Sequence, residues 1–276
     1  MTNSKSKALK SPARGPSRYA AIIEEVFKRH YKKGVRAFEF DRKDFKGIAE
    51  QLGIALPDNL GDLTYSFKYR TKLPDSIAKT APKGFEWNIV GAGISKYQFK
   101  LVKPLDISPR ESLLVIKIPD ATPEIIGAYA LGDEQALLAK VRYNRLIDLF
   151  LGVTASSLQN HLRTTVRGIG QIEIDELYVG IDRSGSQYVI PVQAKGGNDR
   201  HGRQQTEQDM ACCGEKFPLL RCRPVSAQFM AKGRIAMFEL AMQDGDVKVV
   251  AEEHYQLVPA AEITSEDLDV YRTKKL

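Results

Sequence analysis

Gln171–Asp182 (QIEIDELYVGID) and Tyr188–Lys195 (YVIPVQAK) decide how this chain is read. Each alternates with the period of a strand, and Arg183-Ser184-Gly185-Ser186 between them has the composition of a turn, so the two predict a hairpin. Asp175 and Glu176 lie in the first strand, and Lys195 ends the second. With the turn centred between Ser184 and Gly185, Glu176 faces Gln193 and Asp175 faces Ala194. Pro191, Gln193 and Lys195 share one face of the second strand. Gln193, Lys195 and one or both of Asp175 and Glu176 are therefore expected to converge. A one-residue shift or a bulge exchanges Asp175 for Glu176, so which of the two is the principal residue stays open.

Such a cluster points to a particular chemistry. Oxygen ligands suit a hard cation such as Mg²⁺. Asp175 or Glu176 supplies the anionic ligand, and the Gln193 side-chain oxygen and the Ala194 carbonyl are neutral ones. The Lys195 ammonium can stabilise negative charge as it develops on a phosphate, or position a water. A glutamine and a lysine two apart on a solvent-facing strand is the plainer alternative.

Around the hairpin, a long helical pattern starts at Asp133 and runs through Ala136, Leu137, Val141, Leu146 and Phe150. Ser156–Arg163 (SSLQNHLR) reads as more helix or as loop. His161 and Arg163 within it, and the run Arg142-Tyr143-Asn144-Arg145, are either nucleic-acid contacts or ordinary solvated surface. Leu113–Ile118 is a candidate strand, and Leu219–Met230 and Ile235–Val258 are expected to extend the sheet. Cys212 and Cys213 read as core packing.

Toward the N-terminus the character changes. Of the net charge of +7, residues 1–104 carry an excess of positive charge and the remainder is slightly acidic, a split that suggests a polyanionic partner for the first part. Residues 1–16 form a Ser/Pro/Lys-rich tail with no apolar period, expected to be disordered. Ser17 caps a helix to about Lys33, Ala37–Phe40 is extended, Asp41 caps a helix ending at Gly53, and Pro57-Asp58-Asn59 starts a third. Phe85–Val90 and Lys96–Val102 follow as a hairpin. The order resembles a winged helix-turn-helix over residues 17–104. That resemblance implies duplex DNA binding, with Lys68, Arg70 and Lys72 at the third helix and Lys96 and Lys100 on the wing. Three-helix units of this kind also serve as protein-binding modules. Val90-Gly91-Ala92-Gly93 is not a dinucleotide fingerprint, because a strand and not a helix follows it.

Asp175-Glu176 followed by Gln193-Ala194-Lys195 resembles the PD-(D/E)xK nuclease superfamily, restriction endonucleases in particular. The resemblance covers residues 130–260 and is clearest over 171–210, where Gly196-Gly197-Asn198-Asp199, Gln204, Gln205 and Gln208 look like the helix that follows the lysine in many members. It implies an α/β nuclease core with a mixed sheet over residues 105–276, α+β overall with the N-terminal domain. The implied activity is Mg²⁺-dependent cleavage of double-stranded DNA, as in a type II restriction enzyme acting as a homodimer. Catalytic roles then fall to Asp175, Glu176, Gln193 and Lys195, and metal ligation to Asp175, Glu176, Gln193 and Ala194. Glu134 is the candidate for the acid that an earlier helix carries in the family. Two departures stand out: no proline precedes the acid, and Gln193 replaces the usual acidic residue. The alternatives are a DNA-binding regulator with a degenerate nuclease fold, and a structure-selective repair or recombination nuclease.

Composition excludes other classes. Apolar residues make up 43% of the 276, enough for a core. No run approaches the ~18 apolar residues of a membrane span, and the N-terminus lacks the apolar stretch of a secretory signal. The three cysteines fit neither a disulfide framework nor a zinc knuckle, so a reducing cytoplasm is the expected compartment.

Overall fold

The computed structural model describes residues 18–69, 71–105, 107–129, 133–196 and 201–273. The chain divides into two compact units, one through Val102 and one from Lys103. Both mix helices and sheet. No helix among the described residues is long and apolar enough to cross a membrane.

The first unit runs α1 (Arg18–His30), β1 (Ala37–Asp41), α2 (Asp44–Leu52), α3 (Gly61–Tyr69), α4 (Asp75–Ala78), β2 (Glu86–Gly93) and β3 (Lys96–Val102). Its antiparallel sheet has the order β1-β3-β2. Ile22, Ile23, Val26 and Phe27 recur at helical spacing on α1 and are buried against Phe45 and Ile48 of α2, Leu63 of α3 and Trp87, Ile89 and Phe99 of the sheet. Full burial of each such side chain stabilises by roughly 1.5–3 kcal/mol. Gly53 ends α2 at φ 63°, where its N–H bonds the Ala49 and Glu50 carbonyls. The proposed tail, residues 1–16, lies outside the described residues.

The second unit comprises β4 (Val115–Pro119), α5 (Glu124–Tyr129), α6 (Glu134–Tyr143), α7 (Leu146–Leu151), β5 (Thr154–Val166), β6 (Gly170–Ile181), β7 (Gln187–Lys195), α8 (Arg203–Lys216), β8 (Arg221–Cys222), β9 (Val225–Phe229), β10 (Arg234–Gln243), β11 (Asp246–Val258) and α9 (Ser265–Thr273). Its sheet has eight strands in the order β4-β11-β10-β9-β7-β6-β5, with β8 beside β7. The sheet is mixed: β4/β11, β7/β8 and β7/β9 are parallel and the remaining pairs antiparallel. Helices cover both faces. On one, Leu137, Leu138, Val141, Ile147 and Leu151 of α6 and α7 pack on Tyr178, Val192, Ala227 and Met237. On the other, Cys212 and Cys213 of α8 pack on Ile174, Leu177 and Val189. Pro191 falls where β7 passes from its partner β8 (paired at Tyr188 and Val189) to β9 (paired from Val192), a place in a central strand that tolerates a residue without an N–H.

Three expectations are corrected. The long helix from Asp133 breaks at Asn144-Arg145 into α6 and α7. Arg145 takes φ 50°, and Asn144 turns its amide to the Lys140 carbonyl and the Thr122 hydroxyl while its oxygen accepts the Ala121 N–H. Ser156–Arg163 is neither helix nor loop but the centre of β5. Its alternation is invisible because β5 is the outermost strand, exposed over most of its length and bulged between Ser157 and Gln159. The hairpin register is also off by one. Its loop is 182–186, with Ile181 opposite Gln187, so Glu176 faces Val192 and not Gln193. Asp182 sets this loop: its carboxylate accepts the Ser184 N–H (2.8 Å), the Ser184 hydroxyl (2.6 Å), the Ser186 N–H (3.0 Å) and the Tyr188 hydroxyl (2.7 Å).

Candidate active site

The ladder between β6 and β7 ends at Glu176↔Val192. Beyond that rung side chains replace it. Asp175 Oδ2 accepts the Ala194 N–H at 2.9 Å, and Gln193 Nε2 donates to the Glu173 carbonyl at 3.2 Å. On its other flank β7 stays paired with β9 through Lys195. The candidate site is this open seam: one strand held rigidly, its inner edge freed from main-chain pairing and met by a carboxylate.

Lys195, the last residue of β7, has a largely buried side chain, with its ammonium 3.7 Å from the Glu134 carboxylate at the start of α6. Asp133 caps that helix by accepting the Ala136 N–H at 2.9 Å, which fixes where Glu134 leaves it. Asp175 lies within the field of Lys195. Burial raises its pKa above the ordinary range, and Lys195 and the Ala194 N–H partly offset that.

Gln193 is fully buried and fully engaged. Its Nε2 also donates to both oxygens of Asp209 (3.2 and 3.0 Å), and its Oε1 accepts from Gln205 Nε2 at 2.8 Å. Asp209 is itself buried on α8. Burial holds its pKa well above the usual carboxylate value, with Gln193 opposing and the Asp175 charge reinforcing the shift. Just before α8, burial pushes the His201 pKa down to about 3, with Lys195 adding to the shift; its Nε2 meets the Thr206 hydroxyl at 2.9 Å.

The sequence-derived residues divide cleanly. Asp175, Gln193, Ala194 and Lys195 are brought together, and Glu134 joins them. Glu176 is not: opposite Val192 it points to the other face of the sheet, where, fully buried, it accepts from Arg142 Nε at 2.8 Å. The single-rung shift in register is the physical reason. Gln193 is present, with its oxygen accepting one hydrogen bond from Gln205 and its amide held by Asp209 and the Glu173 carbonyl. Asp209 was missed in the sequence. Its signal was position, four residues after Gln205 and three before Cys212 on one helix, which puts it on the sheet-facing stripe.

In the first unit Lys72, Lys96 and Lys100 are exposed, and Lys96 and Lys100 lie on β3 opposite Asp41 and Ala37 of β1. Lys68 is half-buried, its ammonium 5.0 Å from the centre of the Tyr97 ring. Arg70, Gly197, Asn198 and Asp199 lie outside the described residues.

The donor set at the seam suits a small hard cation. The bond to the Ala194 N–H uses one of the two Asp175 oxygens, Oδ2. The Ala194 carbonyl leaves its strand on the same side as the N–H that Asp175 binds, and Glu134 brings a second carboxylate next to Lys195. Among the described residues no three His, Cys, Asp or Glu side chains surround one point.

Against family models, curated proteins and solved structures, the chain finds no match.

Proposed function

We propose that the protein is a Mg²⁺-dependent endonuclease of double-stranded DNA, related in design to the PD-(D/E)xK enzymes and acting as a restriction endonuclease. The observation that carries this reading is the convergence of Asp175, the Ala194 main chain, Lys195 and Glu134 where the β6–β7 ladder opens. Asp175, the Ala194 carbonyl and Glu134 are the groups that would hold the cation. When bound, Mg²⁺ neutralises the scissile phosphate and acidifies a water. Lys195, beside Asp175 on a rigid strand, places a positive charge where the phosphate oxygens gain negative charge. A water gives up a proton as its oxygen bonds to phosphorus, the P–O3′ bond breaks, and the 3′ oxygen takes up a proton, leaving a 5′ phosphate and a 3′ hydroxyl. Gln193, clamped by Asp209 and Gln205, keeps the end of β7 at a fixed distance from Asp175. The first unit, whose helix–strand–helix–helix–hairpin order resembles a winged helix with one short helix added, is the DNA-reading half. Two strands to cut favour a homodimer.

One observation favours a second reading, a DNA-binding regulator without cleavage: the side chain at the usual acidic position is a glutamine whose oxygen is already bonded. Incubation of the protein with supercoiled plasmid and Mg²⁺ separates the two. Cutting into discrete fragments supports a restriction enzyme, a diffuse pattern supports a structure-selective nuclease, and intact plasmid supports the regulator.

A further inference from the structure

Arg42, in the link between β1 and α2, and Lys68, on α3, converge on Tyr97 of β3. Arg42 Nη2 donates to the Tyr97 hydroxyl at 2.9 Å, and its guanidinium carbon lies 5.9 Å from the ring centre. The Lys68 ammonium lies 5.0 Å from the same centre. Tyr97 is buried and stacked on Phe40, and the Arg42 N–H bonds the Ser95 carbonyl, so the platform is rigid. Arg42 Nε is buried without a hydrogen-bond partner.

Among the described residues no carboxylate bonds either cation. The acids adjacent to Arg42 are engaged locally: Asp41 Oδ1 accepts the Lys43 N–H, and Asp44 accepts from His30 and from the Asp41 N–H. Burial first and Arg42 second pull the Lys68 pKa down to about 8, with no acid opposing them. Two neighbouring cations, partly desolvated and unneutralised, disfavour one another. An anion between them removes that penalty. The donors are a guanidinium, an ammonium and a phenol hydroxyl that accepts from Arg42 and so has its proton to give, a set suited to a tetrahedral anion.

We propose that Arg42, Lys68 and Tyr97 form a clamp for one phosphate group of the DNA backbone. The clamp rests on the reading of the first unit as the DNA-binding half, and it makes Lys68 a contact to the DNA backbone. A phosphate held there requires Lys68 charged, so binding is coupled to its protonation. Among the described residues, Arg42 is the charged group that acts on that ammonium.

The test is fluorescence anisotropy of the full chain with a short duplex, without Mg²⁺, over a salt series and from pH 7 to pH 9. With Lys68 titrating at about 8, wild-type affinity should fall about tenfold across that range, while ordinary lysines stay charged. Lys68→Met should bind more weakly at pH 7, show no such fall, and have a salt slope shallower by about 0.9, the loss of one phosphate contact. Lys68→Arg should keep the affinity and lose the pH dependence. Wild type that binds with a flat pH profile, or a Lys68→Met variant indistinguishable from it, overturns the clamp and leaves DNA binding standing. Wild type that binds no duplex overturns the reading of the unit and the clamp with it.

Discussion

Gln193 uses both ends of its carboxamide inside the protein, and that fixes what a change there does. Its Nε2 is a donor to Asp209 and to the Glu173 carbonyl. Gln193→Glu replaces the donor by an acceptor and sets two carboxyls together in a buried site. We expect a loss of about 3 kcal/mol at neutral pH, within the range for a broken buried pair. The pH dependence follows in sign. Both carboxyls titrate near 4 when unfolded and above that when folded, so the folded state holds protons that the unfolded state releases. Stability of the variant is therefore greatest in acid and falls as pH rises above about 4. Adding Asp209→Asn restores a donor–acceptor pair and should recover most of the loss. Denaturant melts at two pH values check both statements; a Gln193→Glu variant as stable as wild type at neutral pH refutes them.

The same residue shows what the sequence displays and what it hides. Asp175, Gln193 and Lys195 were legible because strand alternation and spacing place them together. Asp175 rather than Glu176 was not, because a one-rung difference in register exchanges them, and that rung depends on how Asp182 folds the loop. The engagement of the Gln193 carboxamide within the protein was not legible either, because its partners Gln205 and Asp209 come from a helix whose docking angle no local pattern encodes.

Among the elements, the hairpin loop is the one that sets the site. Hydrogen bonds from the Ser184 side chain, and then from Tyr188 and the Ser184 and Ser186 N–H groups, hold the Asp182 pKa far below the ordinary range. A depressed carboxyl contributes stability above its unfolded pKa, about 3.9, and loses it as pH falls below that. Asp182→Ala should lower the melting temperature at pH 7, and the gap to wild type should narrow in acid. Equal gaps at pH 7 and pH 3 would show that Asp182 does not act through its charge. β5 was misread for an element-scale reason: an exposed edge strand carries polar residues on both faces, so period two vanishes. The α6–α7 break was misread because the helical apolar period continues through Arg145, whose left-handed backbone is stabilised by contacts of Asn144 with distant chain.

At the scale of the whole molecule, the separation into two units was visible in the charge and in the change of pattern near residue 104, close to the observed boundary after Val102. The alternating β6 and β7 runs announced a sheet, whereas the strand order, with parallel β7/β9 beside antiparallel β6/β7, is a tertiary fact. Each unit has its own core. The sole tryptophan, Trp87, is buried in the first, where its indole N–H donates to the Thr80 hydroxyl at 2.9 Å. A fragment of residues 18–102 should therefore fold alone and keep the blue-shifted Trp87 emission of the full chain. Red-shifted emission from the fragment would show that its core is not sufficient.

Whether the opened β6–β7 seam hydrolyses DNA turns on two neighbouring acids with opposite fates. Asp175 faces Lys195, whereas Glu176 is buried against Arg142 on the other face. Cutting of supercoiled plasmid in Mg²⁺ is measured for wild type, Asp175→Ala, Lys195→Ala and Glu176→Gln. Wild type should cut, Asp175→Ala and Lys195→Ala should lose activity by a factor of at least about 100 while still binding the duplex, and Glu176→Gln should cut near the wild-type rate. Wild-type rates in Asp175→Ala and Lys195→Ala, or a wild type that leaves the plasmid intact, would contradict hydrolysis at the seam.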